Sequence, residues 1–421
     1  MRVCVLTLGT RGDVQPYLFL AAALHEAGHE VRLGAPDDFR AAAEALSIPF
    51  VELGVDIEAL MKSDDARRFL SGRRLALIKL WREQIRPAMQ RVLEAARRAA
   101  DGAEVIVHHP KVFAAFDIAE ATGARLVQAS VIPIEATAEF PPLITTRSFG
   151  GPLNRRAYEM FAWSRLPWRG LLNRWRRESL GLGPGPVRLP LGRGPRGPVP
   201  SLCAVSPAIL PRPADWPDRV VMTGPWTRPS EDELEPELRR FIAAGEPPLS
   251  IGFGSMTTDA PARTAEQVIA AVRRTGLRAV IAAGWTGLGA AAAAIDEEPS
   301  LFRITGAPHD KLFPKMAAVV HHGGAGTTHA GLTAGRPTLV CPVAVDQPFW
   351  GERVQRLGCG PEPLPLLRLS AGTLAERLRQ LTSGRFDEAA RRVSDAMAED
   401  PGLTRAVEVI EAAVQDATAP P

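Results

Sequence analysis

The 421-residue sequence predicts an α/β protein made of two doubly wound parallel sheets. Three observations carry this. Short apolar runs alternate with helical stretches from residue 2 to about 129, and a second series of the same kind starts at residue 248. A proline-rich, acid-rich segment lies between them. At ~150 residues per domain the length itself predicts two to three domains, each able to bury a core.

The elements follow in order. Residues 2–8 form an apolar run that ends in Gly9-Thr10-Arg11-Gly12-Asp13. Leu18, Ala21, Ala22 and Leu24 then recur at helical spacing, and Gly28 is a natural stop. Glu30-Val-Arg-Leu-Gly reads as a second strand, with Pro36-Asp-Asp opening another helix. Strand, helix, strand within about 35 residues is a βαβ unit. The pattern recurs as a strand at 104–108, a helix near 112–122 and a strand at 125–129.

Residues 140–200 break the alternation. They hold Pro141-Pro142, Tyr158, Phe161, Trp163, Trp168 and Trp175, with eleven Arg against two Glu between 147 and 196. Basic residues interleaved with aromatics can bind nucleic acid. The favoured reading is a helical insertion whose Arg are solvated and whose aromatics pack inward or line a cleft. Residues 181–200 hold too many Gly and Pro for regular structure and read as a loop. Five prolines from Pro211 to Pro229 and the acidic run 231–237 mark the linker region. The second series has apolar runs starting at Pro248, Arg278, Leu301, Ala317 and Pro337. The predicted division is 1–210, a linker at 211–235, a second domain at 236–395, and a terminal helix at 396–421 that crosses back to the first domain. Two such domains leave a cleft outside the carboxyl ends of their strands, and they are expected to close on a ligand there.

Composition excludes several classes. Apolar residues are 46% and charged residues 23%, which is not a disordered chain. A net charge of +3 is too balanced to predict a nucleic-acid partner. Cys4, Cys203, Cys341 and Cys359 have no CxxC spacing, so neither a disulfide framework nor a zinc site is indicated. The first apolar run is too short for a signal sequence or a membrane span of ~20 residues. A cytoplasmic location and a monomer or homodimer are expected. Only five of the 50 basic residues are Lys, which with abundant Ala suggests a GC-rich bacterial source.

The strongest local signal is His321-His322-Gly323-Gly324-Ala325-Gly326-Thr327-Thr328-His329, between a strand and a helix. Its glycines let backbone approach a ligand closely, and free N–H groups at a helix start suit a diphosphate. Thr327 and Thr328 add hydroxyl donors, and His322 can donate to a phosphate oxygen. The spacing matches neither a Walker loop nor the dinucleotide fingerprint, because position 329 is His. Asp13 stands where the first strand meets the first helix. It reads either as a general base for a substrate hydroxyl or as a helix N-cap. Asp346-Gln347 offers a carboxylate and an amide for vicinal sugar hydroxyls, one βα unit after the glycine loop.

Taken together, these motifs resemble nucleotide-sugar glycosyltransferases of the two-domain GT-B fold. The similarity is to the branch shared by glycopeptide-antibiotic and sterol glucosyltransferases. It rests on Gly9-Thr-Arg-Gly-Asp-Val-Gln-Pro, Ala27-Gly-His-Glu-Val-Arg, Ala307-Pro-His-Asp-Lys-Leu-Phe-Pro, the 321–328 loop and Asp346-Gln-Pro. The resemblance implies that His322, Gly324, Gly326, Thr327 and Thr328 hold the donor diphosphate, with Ser255 on its other side. It places Ala307, His309 and Trp285 along the nucleoside, Asp346 and Gln347 on the donor sugar, and makes Asp13 the base. The donor would be a UDP- or TDP-sugar, transferred with inversion to a hydrophobic hydroxylated acceptor, without cofactor or metal. The stretches 60–90 and 140–175 either wall an apolar acceptor pocket above Asp13 or pack plainly into the core. Many relatives place a His near the start of the first helix; here none lies at 18–24, and His108 and His109 are reserve candidates for the base. An epimerase of the same fold, or a non-catalytic sugar-nucleotide binder, would share the donor motifs.

Overall fold

In the computed structural model, residues 1–54, 81–145, 147–189, 191–254, 261–282 and 290–415 are described. The first sheet contains β1 (Arg2–Leu6), β2 (Glu30–Ala35), β3 (Phe50–Glu52), β4 (Val105–His108) and β5 (Arg125–Ser130). A small antiparallel hairpin follows, β6 (Arg193–Gly194) with β7 (Gly197–Pro198), and then β8 (Ser201–Cys203) and β9 (Val220–Met222) rejoin the sheet. Its order is β3-β2-β1-β4-β5-β8-β9, parallel throughout. The second sheet has β10 (Leu249–Gly252), β11 (Ala279–Ala282), β12 (Leu301–Ile304), β13 (Ala318–His321) and β14 (Thr338–Val340), parallel in the order β12-β11-β10-β13-β14.

Successive side chains on a strand face opposite ways, and each face of the first sheet carries its own core. Val3 and Val5 pack with Val14, Leu18, Ala21 and Leu24 of the first helix, Arg11–Glu26. Cys4 and Leu6 pack on the other face against the helices Arg86–Ala99 and Ala114–Thr122. Strands covered on both faces must be apolar along their whole length, and β1 is buried from Val3 to Leu6. The helix Gly402–Gln415 belongs to the first of these layers: Ala406 and Ile410 are fully buried there, and His29 contacts Glu411 at 3.0 Å.

Three differences from the sequence reading matter. The first sheet continues through β9, inside the segment read as linker. β9 is three residues long, lies between Pro217 and Pro225, and needs only one neighbour, which is where proline-flanked strands are tolerated. Second, the insertion's arginines are not all solvated. Arg165 and Arg176 are buried, because both bind the fully buried Asp117 of the helix Ala114–Thr122. The third difference is a shared interdomain core. Phe140, Val205 and Ile209 from the first domain pack in one cluster with Leu332, Trp350 and Val354 from the second. Arg353 donates to Ile209 O, and Ser206 N–H donates to His329 Nε2 at 3.3 Å, across the same seam.

Candidate active site

In a doubly wound sheet, neighbouring strands whose crossovers run in opposite directions open a crevice at their carboxyl ends. The first sheet has that switch between β1 and β4, and the second between β10 and β13. The first turn of the helix after β1 carries Asp13, and the loop after β4 carries His109 and Lys111. The loop after β13 carries His321 to Gly324. Across the two facing crevices, burial raises the pKa of Asp346 and the Asp13 charge adds to it.

Asp13 is not the N-cap of the first helix. Thr10 is the cap and Asp13 occupies the third helical position, closing a capping box in which Asp13 Oδ2 accepts the Thr10 N–H at 3.0 Å. Its other oxygen, Oδ1, lies 2.8 Å from Lys111 Nζ and 3.4 Å from His109 Nε2. The Lys111 backbone N–H donates to His109 Nδ1 at 3.0 Å, so the ring proton of the neutral imidazole sits on Nε2 and points at Asp13. Burial alone would raise the Asp13 pKa. The His109 hydrogen bond and the Lys111 charge outweigh it and hold the carboxyl at about 2. Burial lowers the His109 pKa, which Asp13 only partly offsets, so the imidazole is neutral near pH 7. His109 also packs on Tyr17, with ring centroids 5.6 Å apart. His109 had standing only as a reserve base, and Lys111 was missed because it belongs to no motif; its one sequence signal is that it follows the end of β4 by three residues.

On the opposite wall, Gly324 caps the helix Ala325–Thr333 in an extended conformation. His321 turns inward, its Nδ1 accepting the Gly323 N–H at 2.9 Å, and so shapes the loop. His322 lies over Gly324: a Cβ added there would stand 2.7 Å from His322 Nε2. The other side of the same ring faces Gly254 after β10, where an added Cβ would stand 3.2 Å from His322 Cε1. Burial pushes the His322 pKa down to about 4, and its buried Nδ1 has no hydrogen-bond partner among the described residues. Gly326 has open space around it. Thr327 stands in the first helical turn, where N–H groups lack intrahelical acceptors. Thr328 departs from the expectation. It is fully buried and its hydroxyl donates to Gly324 O at 2.9 Å, so the side chain serves the helix rather than a ligand.

Asp346 caps the helix Gln347–Arg356, and Trp350 Nε1 donates to its Oδ2 at 2.8 Å. Burial raises the Asp346 pKa. Gln347 is buried, and its Oε1 accepts from Val343 N–H at 2.7 Å and Ala344 N–H at 3.2 Å. That fixes the loop and leaves the amide NH2 as the group able to meet a ligand. Between them the β-branched Val345 has φ 59, a costly conformation held immediately before Asp346. His309 is exposed and stacked on Phe313, 4.3 Å between centroids, and Ala307 is half-buried nearby. Ser255, Trp285 and most of the 60–90 stretch lie outside the described residues. Trp81, at the end of that stretch, meets Trp168 of the insertion at 4.3 Å, and Phe113 meets the same ring at 6.4 Å. Among the described residues no three His, Cys, Asp or Glu side chains converge as a metal site, and no helix is long and apolar enough to cross a membrane.

Comparison with known proteins agrees with this geometry. Residues 3–127 match the glycosyltransferase family 28 N-terminal domain, and residues 290–413 match the erythromycin biosynthesis protein CIII-like C-terminal domain. A sterol 3-beta-glucosyltransferase of Arabidopsis thaliana is 32% identical over 418 residues, covering 97% of this chain and 67% of the plant protein. An O-mycaminosyltylonolide 6-deoxyallosyltransferase of Streptomyces fradiae is also 32% identical, over 98% of this chain and 97% of its own length. The chain spans 64% of a second plant sterol glucosyltransferase and only 26–28% of several fungal ones. Among solved structures, the glycosyltransferase VinC in complex with DTDP superposes with a TM-score of 0.68 at 21% identity, covering 99% of this chain and 100% of that one. With facing switch-point crevices and relatives of both kinds, the chain belongs to the GT-B-fold glycosyltransferases, in the branch that joins sterol and antibiotic glycosyltransferases.

Proposed function

We propose that the protein transfers a sugar from a UDP- or TDP-sugar to a hydroxyl of an apolar acceptor, in one displacement with inversion and with Asp13 as base. The observation that carries this reading is the pair of facing crevices, one holding an ionised carboxylate and the other a glycine-lined helix start. Relatives that act on sterols, and the DTDP bound to VinC, support the two substrate classes.

The acceptor hydroxyl approaches Asp13 Oδ1 and takes the place of Lys111. That lysine is half-exposed on a flexible stem and can swing away. Its departure removes one of the charges that depress the Asp13 pKa, so the carboxylate becomes a stronger base as the substrate arrives. Thr10 N–H and His109 Nε2–H continue to fix the carboxylate's orientation. His109 therefore acts as a positioning residue. On the donor side, the diphosphate accepts from the backbone at Gly324, Gly326 and Thr327, and the family resemblance gives Ser255 to its other side. Negative charge growing on the leaving diphosphate meets donors already aimed at it and the positive end of the helix dipole. An incoming diphosphate also favours a protonated His322, reversing the effect of burial. Asp346, oriented by Trp350, and the Gln347 amide hold the sugar. Ala307 and His309 line the nucleoside, and the family resemblance adds Trp285 to them. The aromatic group Trp81, Phe113 and Trp168 begins two residues beyond Lys111 and walls the acceptor.

A mass-spectrometric screen of UDP-glucose and TDP-sugars against sterol-like, polyketide and aromatic alcohols tests the reading. Mono-glycosylated apolar products are expected, and Gly324→Ala, which pushes a methyl into His322, should abolish them all. Turnover confined to free sugars or peptides would overturn the apolar acceptor.

A further inference from the structure

Nine large hydrophobic side chains are strongly exposed among the described residues, and six of them fall within residues 144–166. They are Ile144, Phe149, Leu153, Met160, Trp163 and Leu166, each 48–57% exposed. Their spacing is not random. The helices Gly151–Ala157 and Glu159–Ala162 follow one another through a helical Tyr158, and Asn154, Tyr158, Ala162 and Arg165 form the buried face. Leu153, Met160 and Trp163, at steps of seven and three, project from the opposite side. Large apolar side chains gathered on one exposed helix side mark something that covers them.

Charge says what covers them. Between 147 and 196 the eleven Arg and two Glu give +9, while the whole chain carries +3, so the other residues sum to −6. Arg147, Arg156, Arg169, Arg174 and Arg177 of the same segment are exposed, and Arg156 falls on the helix side of Leu153 and Met160. A second copy of this chain seated on the same face would bring like charge against like charge. Apolar residues with a tryptophan, rimmed by arginine, instead match the headgroup boundary of an anionic bilayer. The apolar side also leads to the reaction centre. Leu166 opens the turn Leu166–Trp168, Trp168 stacks near Phe113 and Trp81, and Phe113 lies two residues beyond Lys111 on Asp13.

We propose that the face formed by residues 144–177 docks the protein on an anionic lipid bilayer and opens the acceptor pocket towards the membrane surface. Its second half rests on the apolar acceptor proposed above; the docking itself does not. A bilayer-dissolved alcohol would then reach Asp13 along the Trp168 side without crossing water.

Sedimentation of the full chain with vesicles tests this directly. The protein should pellet with phosphatidylcholine vesicles containing phosphatidylglycerol, far less with phosphatidylcholine alone, and salt should release it. Met160→Ser with Trp163→Ser, and separately Arg169→Glu with Arg174→Glu, should each weaken vesicle binding at least about tenfold while leaving circular dichroism and UDP or TDP binding unchanged. These side chains are exposed, so both variants should fold. Wild-type binding in either variant, or no binding to the mixed vesicles, would overturn the proposal. So would a dimer that the same variants dissociate, or capture by an acidic protein with no vesicle binding. If vesicles bind but no alcohol is glycosylated, the acceptor reading fails and the docking surface stands.

Discussion

Asp13→Asn is expected to lower turnover by roughly 10²–10⁴-fold, the usual effect of losing a general base, while UDP or TDP affinity changes little. The amide oxygen can still accept the Thr10 N–H and complete the capping box. It cannot take a proton from an alcohol at neutral pH. The substitution also removes the negative charge that faces Lys111 and His109. Asp13 is held at about 2 against its ordinary 3.8, and at ~1.4 kcal/mol per unit this corresponds to about 2.5 kcal/mol of stability. A depressed carboxylate stabilises the fold above its unfolded value, and the contribution is lost as pH falls from about 4 through about 2. Wild type and variant should therefore differ in stability at pH 7 and converge below pH 2. Paired kcat measurements and denaturant melts separate the two effects. Retention of more than about a tenth of wild-type turnover would leave Asp13 a capping residue alone.

The second large effect is on folding. Asp117 is fully buried and binds Arg165 and Arg176, each 2–3% exposed. Glu120 also contacts Arg176, at 2.9 and 3.0 Å, but Arg165 Nε and Nη1 have no other partner among the described residues. Asp117→Ala would strand the Arg165 guanidinium away from water, which costs ~3–5 kcal/mol, while Arg176 keeps Glu120 and the Gly183 carbonyl. Because Asp117 sits on the helix Ala114–Thr122 and both arginines on the insertion, the loss should free the insertion first. Limited proteolysis should cut within 140–190 before the sheets unfold. Adding Arg165→Met should recover part of the loss, since it removes the stranded charge. A urea-unfolding loss below about 1 kcal/mol would show that the pair is not what holds the insertion in place.

Most of the architecture is legible in the sequence because long stretches carry one period consistently. All five strands of the second sheet lie within apolar runs that the sequence marks, and the helix at 11–26 ends two residues before Gly28, its expected stop. β3, β8 and β9 are three residues each, too short to show alternation, and exist because a neighbouring strand supplies their partners. The donor loop is legible because glycine has few reasons to cluster before a helix. The base was only half legible. Asp13 stands in a motif, but the groups that set its proton affinity come from a loop about a hundred residues later. The same holds for the buried arginines, whose carboxylate lies 48 and 59 residues away. Contacts at that separation leave no periodic trace in a single sequence.

A single displacement, with Asp13 deprotonating the acceptor on the face opposite the leaving diphosphate, inverts the anomeric centre. The anomeric configuration of the product, read by proton NMR after transfer from an α-linked UDP- or TDP-sugar, tests this most directly. A β-linked product is expected. An α-linked product would require a second displacement or a front-side attack, neither of which a base at Asp13 serves, and would contradict the single displacement.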